Sequence, residues 1–114
     1  MKILITGANG FLGYHLIDLL LQKGYTVFAT GRGVNRLPFT GPGFQYMQLD
    51  YTDLNLTGNI LRQTNPDVVV HTGALSKPDD CEMNKELAYQ NNVTGTKNLL
   101  LQSKTLKSHF IFLS

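Results

Sequence analysis

The sequence predicts an α/β fold: a doubly wound parallel sheet of about five strands, in the order 3-2-1-4-5, with helices on both faces. Three observations carry this expectation. Short apolar, β-branched runs at Lys2–Thr6, Thr26–Thr30 and Val68–Val70 alternate with segments of helical periodicity, the pattern of βαβ units. A glycine-rich turn, Gly7-Ala8-Asn9-Gly10-Phe11-Leu12-Gly13, joins the first run to the first helical segment. Residues 2 to 30 then have the length of one βαβ unit, and right-handed crossovers restrict how such units can be wound.

The elements follow in order. Lys2-Ile3-Leu4-Ile5-Thr6 is the first strand. After the turn, Phe11, Leu12, Leu16, Leu19 and Leu20 make an apolar helical stripe that Leu21 widens. Gly24, following Lys23, is positioned as its C-cap. Thr26–Thr30 is the second strand, and the Gly-, Pro-, Asn- and Arg-rich stretch from Gly31 to Gly43 reads as a loop. Phe44–Leu49 alternates and forms a third strand ending at Asp50. Asp53 or Thr57 caps a short helix through Ile60, Leu61 and Gln63, which Pro66-Asp67 stops. Val68-Val69-Val70 is a strand buried on both faces, left through His71-Thr72-Gly73-Ala74 and a loop at Ser76, Lys77 and Pro78. A long helix is expected from Asp80 to Ser103, with Leu87, Ala88, Asn91, Gly95 and Leu99 spaced for packing, and Phe110–Leu113 is the fifth strand. In this order the winding direction reverses between the first and fourth strands. A ligand site is therefore expected at their carboxyl ends, with Gly7–Gly13 on one side and His71–Ala74 on the other.

Bulk properties narrow the class. A chain of 114 residues holds one domain. A net charge of +2 gives no argument for nucleic acid or membrane binding. No apolar run approaches the ~20 residues of a membrane span, and the first apolar stretch stops at Thr6-Gly7, too early for a signal peptide. Cys81 stands alone, which excludes an internal disulfide and fits a reducing, cytoplasmic setting.

The glycine turn points to a phosphate ligand. Its first glycine permits the tight turn, the second lets the backbone approach a pyrophosphate, and the third lets the helix pack close to the strand. Free N–H groups and the dipole at the helix start then favour an anion. Many dinucleotide sites place an acidic residue after the second strand to bind the ribose 2′-hydroxyl. Here that place reads Thr30-Gly31-Arg32-Gly33, and no Asp or Glu occurs between Asp18 and Asp50. Arg32 would attract a 2′-phosphate that a carboxylate would repel, so NADP is expected, with NAD as second choice. In the plainer reading, Arg32 and Arg36 are solvated loop cations. Asp50 ends the third strand at the ligand edge, where its carboxylate suits an adenine amino group and the Tyr51 backbone suits the ring; a turn or capping role is the alternative.

Other chemistry-bearing residues read more plainly. His71, at a strand end, is expected to be a packed, hydrogen-bonded histidine rather than an acid or base, and His15 and His109 have no constellation around them. Asp79, Asp80, Cys81 and Glu82 have no metal-ligand spacing and suit a first helical turn, so no metal is expected. Cys81 reads as a packing residue. Asn91 and Asn92 fall mid-helix, where a buried amide must find partners; one of them is expected to bond the loop after the fourth strand.

Thr6–Gly13, Asp50-Tyr51-Thr52-Asp53, Pro66–Ala74 and Asn92-Val93-Thr94-Gly95-Thr96-Lys97-Asn98-Leu99-Leu100 together resemble the extended short-chain dehydrogenase/reductase family, whose fold is Rossmann-type. Lys77-Pro78-Asp79-Asp80-Cys81-Glu82 ahead of the Asn92 block resembles its dTDP-4-dehydrorhamnose reductase branch. The resemblance implies that Gly7, Gly10 and Gly13 hold the pyrophosphate, that Arg32 meets the 2′-phosphate and Asp50 the adenine, and that Asn9, Phe11, Leu12 and Tyr51 also belong to the cofactor site. It implies that Thr72, Gly73 and Ala74 line the nicotinamide side and that Asn92 supports the active-site network. The implied reaction is hydride reduction of the 4-keto group of a nucleotide-linked deoxysugar.

One family feature is absent. Four positions after Tyr14, Tyr25, Tyr46, Tyr51 and Tyr89 stand Asp18, Ala29, Asp50, Asn55 and Val93, so no Tyr-x-x-x-Lys occurs. The family's catalytic Ser or Thr is expected at or just beyond Ser114. Residues 1–114 are therefore expected to be the cofactor-binding part of a longer protein, binding dinucleotide without turnover. The alternative is a non-catalytic NADP-binding regulatory subunit resembling the methionine adenosyltransferase β subunit. An uncovered fifth-strand edge leads us to expect self-association or marginal stability.

Overall fold

A computed structural model describes residues 1–72 and 85–113. The elements are β1 (Lys2–Thr6), α1 (Phe11–Gln22), β2 (Thr26–Gly31), β3 (Phe44–Gln48), α2 (Leu54–Thr64), β4 (Val68–His71), α3 (Lys85–Thr105) and β5 (His109–Phe112). The five strands pair in parallel in the order β3-β2-β1-β4-β5, as expected. Ile3 stands opposite Val27 and Val68, and Val70 stands opposite Ile111.

Alternation along the strands supplies two cores. Ile3, Ile5, Val27, Ala29 and Val70 face α1, meeting Ile17 with Leu16, Leu20 and Leu21. Leu4 and Val69 face the other way, against Ile60 and Leu61 of α2 and Leu99 of α3. Burial of Val69 on one side and Val70 on the other confirms that β4 is covered on both faces. This is the doubly wound arrangement, with α1 on one face and α2 and α3 on the other among the described residues.

The buried face of α1 differs from the predicted stripe. Gly13 and Ile17 are its buried residues, whereas Phe11, Leu12 and Leu19 are exposed, Phe11 by 83%. The close approach of Gly13 to the turn fixes the rotation of the helix. Ile17, four residues on, shares that face, and Phe11, Leu12 and Leu19 are turned off it. The helix ends as expected around Gly24 (φ +83°). Tyr25 N–H donates to the Leu20 carbonyl at 3.1 Å and Gly24 N–H to that of Leu21 at 3.0 Å, a Schellman closure.

Asp53, not Thr57, caps α2: its Oδ1 accepts from Leu56 N–H at 3.0 Å. Thr57 is buried and donates its hydroxyl back to the Asp53 carbonyl at 2.8 Å. The helix stops at Asn65, in the left-handed region at φ 45°, one residue before the Pro66-Asp67 signal. Asp67 instead ties neighbouring strands together, accepting from Lys2 N–H on its carboxylate at 2.8 Å and from His109 N–H on its carbonyl at 2.9 Å. β3 stops one residue earlier than expected, and β5 opens one earlier, at His109. The expected loop at Ser76–Pro78, the Asp79–Glu82 cluster, the start of the long helix at Asp80, the Ala88 side chain and Ser114 lie outside the described residues. Among the described residues no helix is long and apolar enough to cross a membrane.

Candidate functional site

β1 delivers the chain to the carboxyl edge of the sheet, where it turns at once into α1. Gly7 takes φ 63°, a conformation that favours glycine. Gly10 N–H donates to the Gly7 carbonyl at 3.1 Å, and Tyr14 N–H to the Gly10 carbonyl at 2.9 Å, which starts the helix. A Cβ on Gly13 would stand 2.6 Å from the Gly7 carbonyl oxygen and 2.9 Å from Ala8 Cα. The third glycine therefore serves close packing, as its position predicts. Gly10 is the N-cap, it offers no side-chain acceptor, and the first turn carries no acidic residue. The N–H groups at the start of α1 thus keep their donor capacity and positive field for an external anion. Phe11 and Leu12 lie at this exposed start, Phe11 with its ring 4.4 Å from that of His15.

Asn9 turns its amide sideways rather than towards the helix. Its Nδ2 donates to the Val34 carbonyl and to Tyr46 Oη, both at 3.1 Å, and its Oδ1 accepts from Arg36 N–H at 3.0 Å. Tyr46 donates its hydroxyl to the Gly33 carbonyl at 2.6 Å. Tyr46 was not singled out by sequence reasoning. Its signal was indirect: Gly31, two residues before Gly33, has no Cβ, and one placed there would come within 2.6 Å of the tyrosine hydroxyl.

Arg32, just past β2, faces Asp50, just past β3, with Nη2 and Oδ2 3.7 Å apart and both side chains well exposed. Asp50 also accepts on Oδ1 from the Thr52 hydroxyl at 2.6 Å and Thr52 N–H at 3.0 Å. The Thr52 hydroxyl, followed by the Thr52 amide and the Arg32 charge, holds the Asp50 carboxyl below its ordinary range against the opposing effect of burial. The turn role read as the alternative for Asp50 is thus present, at the carboxyl end of β3. Tyr51 is buried, which raises its phenol pKa. Its ring meets that of His71 edge-on at 5.0 Å. Its carbonyl accepts from Asn98 Nδ2 at 3.0 Å, and that amide also reaches the Thr52 carbonyl at 3.2 Å. Asn98 was another residue without an individual signal beyond its place in the Asn92–Leu100 block.

At the end of β4, His71 is fully buried and packed, as predicted. Its Nδ1 lies 2.6 Å from Thr6 Oγ1 and its Nε2 lies 3.0 Å from Thr96 Oγ1. Thr6 Oγ1 also accepts from Thr72 N–H at 3.1 Å, and Thr72 donates its hydroxyl to the Thr6 carbonyl at 2.5 Å. A neutral ring that accepts at Nδ1 from Thr6 and donates at Nε2 to Thr96 is consistent with these contacts. Burial pushes the His71 pKa down to about 4, so the ring is neutral at physiological pH. Thr72 is thereby locked to β1 beside the glycine turn. Gly73 and Ala74 lie outside the described residues, as does the loop expected to meet Asn91 or Asn92, which are both half-buried on α3. His15 and His109 are exposed; His15 lies one turn into α1 beside Phe11, and His109 opens β5 at the opposite edge of the sheet.

The family model described as RmlD substrate binding domain matches residues 1–114. UDP-glucuronic acid decarboxylase 2 of Arabidopsis thaliana is 30% identical over 120 residues, covering 100% of this chain and 25% of that protein. Methionine adenosyltransferase 2 subunit beta of Bos taurus is 31% identical over 113 residues, covering 99% of this chain and 32% of that protein. The chain thus spans about a quarter to a third of the length of these curated relatives. Among solved structures, UDP-glucose 4-epimerase from Bifidobacterium longum, in complex with NAD+ and UDP, superposes with a TM-score of 0.84 at 28% identity, over 100% of this chain and 37% of that one.

Proposed function

Because this chain belongs to the RmlD substrate binding domain family, we propose that residues 1–114 are the dinucleotide-binding part of a longer oxidoreductase and prefer NADP(H) to NAD(H). The glycine turn carries the dinucleotide reading. A Cβ on Gly13 would collide with Gly7 and Ala8, and the N-cap at Gly10 leaves the helix start open to an anion. The N–H groups of Phe11, Leu12 and Gly13 would bind the pyrophosphate. Asp50 and the Tyr51 backbone would face the adenine, and Thr72, Gly73 and Ala74 the nicotinamide side.

The NADP preference rests on Arg32. It follows β2, where NAD sites often carry a carboxylate, and its side chain is 60% exposed. Arg32 would offer its charge to a 2′-phosphate in exchange for Asp50. Asp50 is the nearby carboxylate, and it is already bonded through Oδ1 to Thr52 and paired through Oδ2 with Arg32.

The substrate proposed is a nucleotide-linked deoxysugar, reduced at its 4-keto group as in dTDP-4-dehydrorhamnose reductase. Support comes from the Lys77–Glu82 and Asn92–Leu100 blocks and from nucleotide-sugar names among the relatives. When bound, NADPH supplies the hydride; this chain's residues bind and orient it. The alkoxide formed needs a proton donor, and no Tyr-x-x-x-Lys occurs in residues 1–114. That donor, with the sugar-binding residues, is assigned to the remainder of the longer protein, while Asn92 takes a supporting part. A second reading, a non-catalytic regulatory subunit, is favoured by the 31% identity to methionine adenosyltransferase 2 subunit beta. Titration of the 114-residue chain with NADPH, followed by an assay with a dTDP-4-keto-6-deoxysugar, tests the proposal. Binding without NADPH oxidation is expected. Oxidation by this chain, or no binding, contradicts it.

A further inference from the structure

The segment between β2 and β3 has no regular secondary structure from Arg32 to Thr40, yet side chains from outside it grip its backbone at three points. Tyr46, on β3, donates to the Gly33 carbonyl at 2.6 Å. Asn9, in the glycine turn, donates to the Val34 carbonyl at 3.1 Å and accepts from Arg36 N–H at 3.0 Å. The two gripping side chains are themselves joined, Asn9 Nδ2 to Tyr46 Oη at 3.1 Å. Leu37 N–H adds a bond to Asn35 Oδ1 at 2.9 Å within the segment. Arg32 precedes the held stretch and Arg36 closes it, and Arg32 pairs with Asp50 at 3.7 Å.

We propose that Asn9 and Tyr46 are positioning residues that fix this cationic segment over the glycine turn, and so set the discrimination between a 2′-phosphate and a 2′-hydroxyl on the adenosine ribose. The inference rests on the NADP(H) reading above and names the residues that enforce it. Ordering a free backbone residue costs about 1–2 kcal/mol, and an arginine side chain up to about 2 kcal/mol. A segment already held by neutral hydrogen bonds avoids much of that cost when it meets the phosphate. On that reading the pyrophosphate would meet the N–H groups at the start of α1, whereas the Asn9 and Tyr46 side chains bond to the 33–36 segment and to each other. Loss of the latch therefore falls mainly on the 2′-phosphate.

The test is calorimetric titration of the 114-residue chain with adenosine 2′,5′-bisphosphate and with adenosine 5′-monophosphate, which differ only in the 2′-phosphate. Wild type is expected to prefer the bisphosphate. Tyr46→Phe keeps the ring and removes the hydroxyl; it is expected to weaken the bisphosphate about three- to tenfold, the worth of one hydrogen bond, and the monophosphate by less than about twofold. Asn9→Ala, which removes the bonds to Val34 and Arg36 together with the link to Tyr46, is expected to reduce the preference at least as much and gives an independent reading should Tyr46→Phe fail to fold. Equal loss for both ligands, or a preference that survives in the folded variants, overturns the positioning role alone. A wild type that binds both ligands equally overturns the NADP(H) reading and the positioning role with it.

Discussion

Gly95 lies so close to Tyr51 that a Cβ on the glycine would overlap Cδ1 and Cε1 of the ring. This contact seats α3 on the loop after β3. It leaves room for the Tyr51 ring against His71 and for Asn98 to reach the Tyr51 carbonyl.

A helical Gly→Ala change normally gains up to about 1 kcal/mol. Gly95→Ala is expected to do the opposite here and destabilise by about 1–3 kcal/mol, the usual cost of overpacking. Urea unfolding of the two proteins checks the sign. A more stable variant contradicts the contact.

Gly13→Ala is expected to cost stability and to abolish NADPH binding, since its Cβ meets backbone at 2.6 and 2.9 Å rather than a flexible side-chain end. Gly33 has nothing within 4 Å of a Cβ, so Gly33→Ala is expected to change stability by less than about 0.5 kcal/mol. Thermal melts and NADPH fluorescence on both variants make the comparison.

His71 links stability to acid. Its folded pKa is about 4, below the ordinary 6.5. Between these values the unfolded chain takes up a proton that the folded chain refuses. The stabilisation is therefore fully present above about pH 6.5 and is lost as pH falls towards about 4, at no more than about 1.4 kcal/mol per pH unit. The lowered Asp50 pKa acts in the same direction at still lower pH. NMR titration of the His71 ring checks this directly: a neutral ring at pH 5 is expected, and a midpoint near 6.5 contradicts it.

Among the described residues β5 forms an edge of the sheet, with Ile111 37% and Phe112 49% exposed. Leu100 and Leu101 on neighbouring α3 are exposed too. The 114-residue chain is expected to self-associate through this face, and Ile111→Lys to reduce the association. Sedimentation equilibrium of both proteins reads it; a monomeric wild type at tens of micromolar contradicts it.

The sheet order was legible because β-branched runs, a glycine turn and helical spacing all agree, and because parallel crossovers allow few windings. The glycine turn was legible for the same reason: its geometry is a backbone property written in residues without side chains. The face of α1 was not, because five apolar residues offered several stripes and the choice between them depends on how Gly13 docks. Asp53 and Thr57 were equally good caps by type, and only the start of α2 separates them. Tyr46 and Asn98 stayed hidden for a different reason. Each acts on backbone groups far away in sequence, 13 residues for Tyr46 to Gly33 and 47 for Asn98 to Tyr51, and no local pattern records such a bond.

The central claim is tested most directly by comparing the affinities of NADPH and NADH for the wild-type chain and for Arg32→Ala. A charge-assisted bond to the 2′-phosphate, at ~1.5–3 kcal/mol, predicts that wild type binds NADPH roughly ten- to a hundredfold more tightly than NADH and that Arg32→Ala loses most of that difference. Equal affinities in wild type, or a preference untouched by the loss of Arg32, would contradict it.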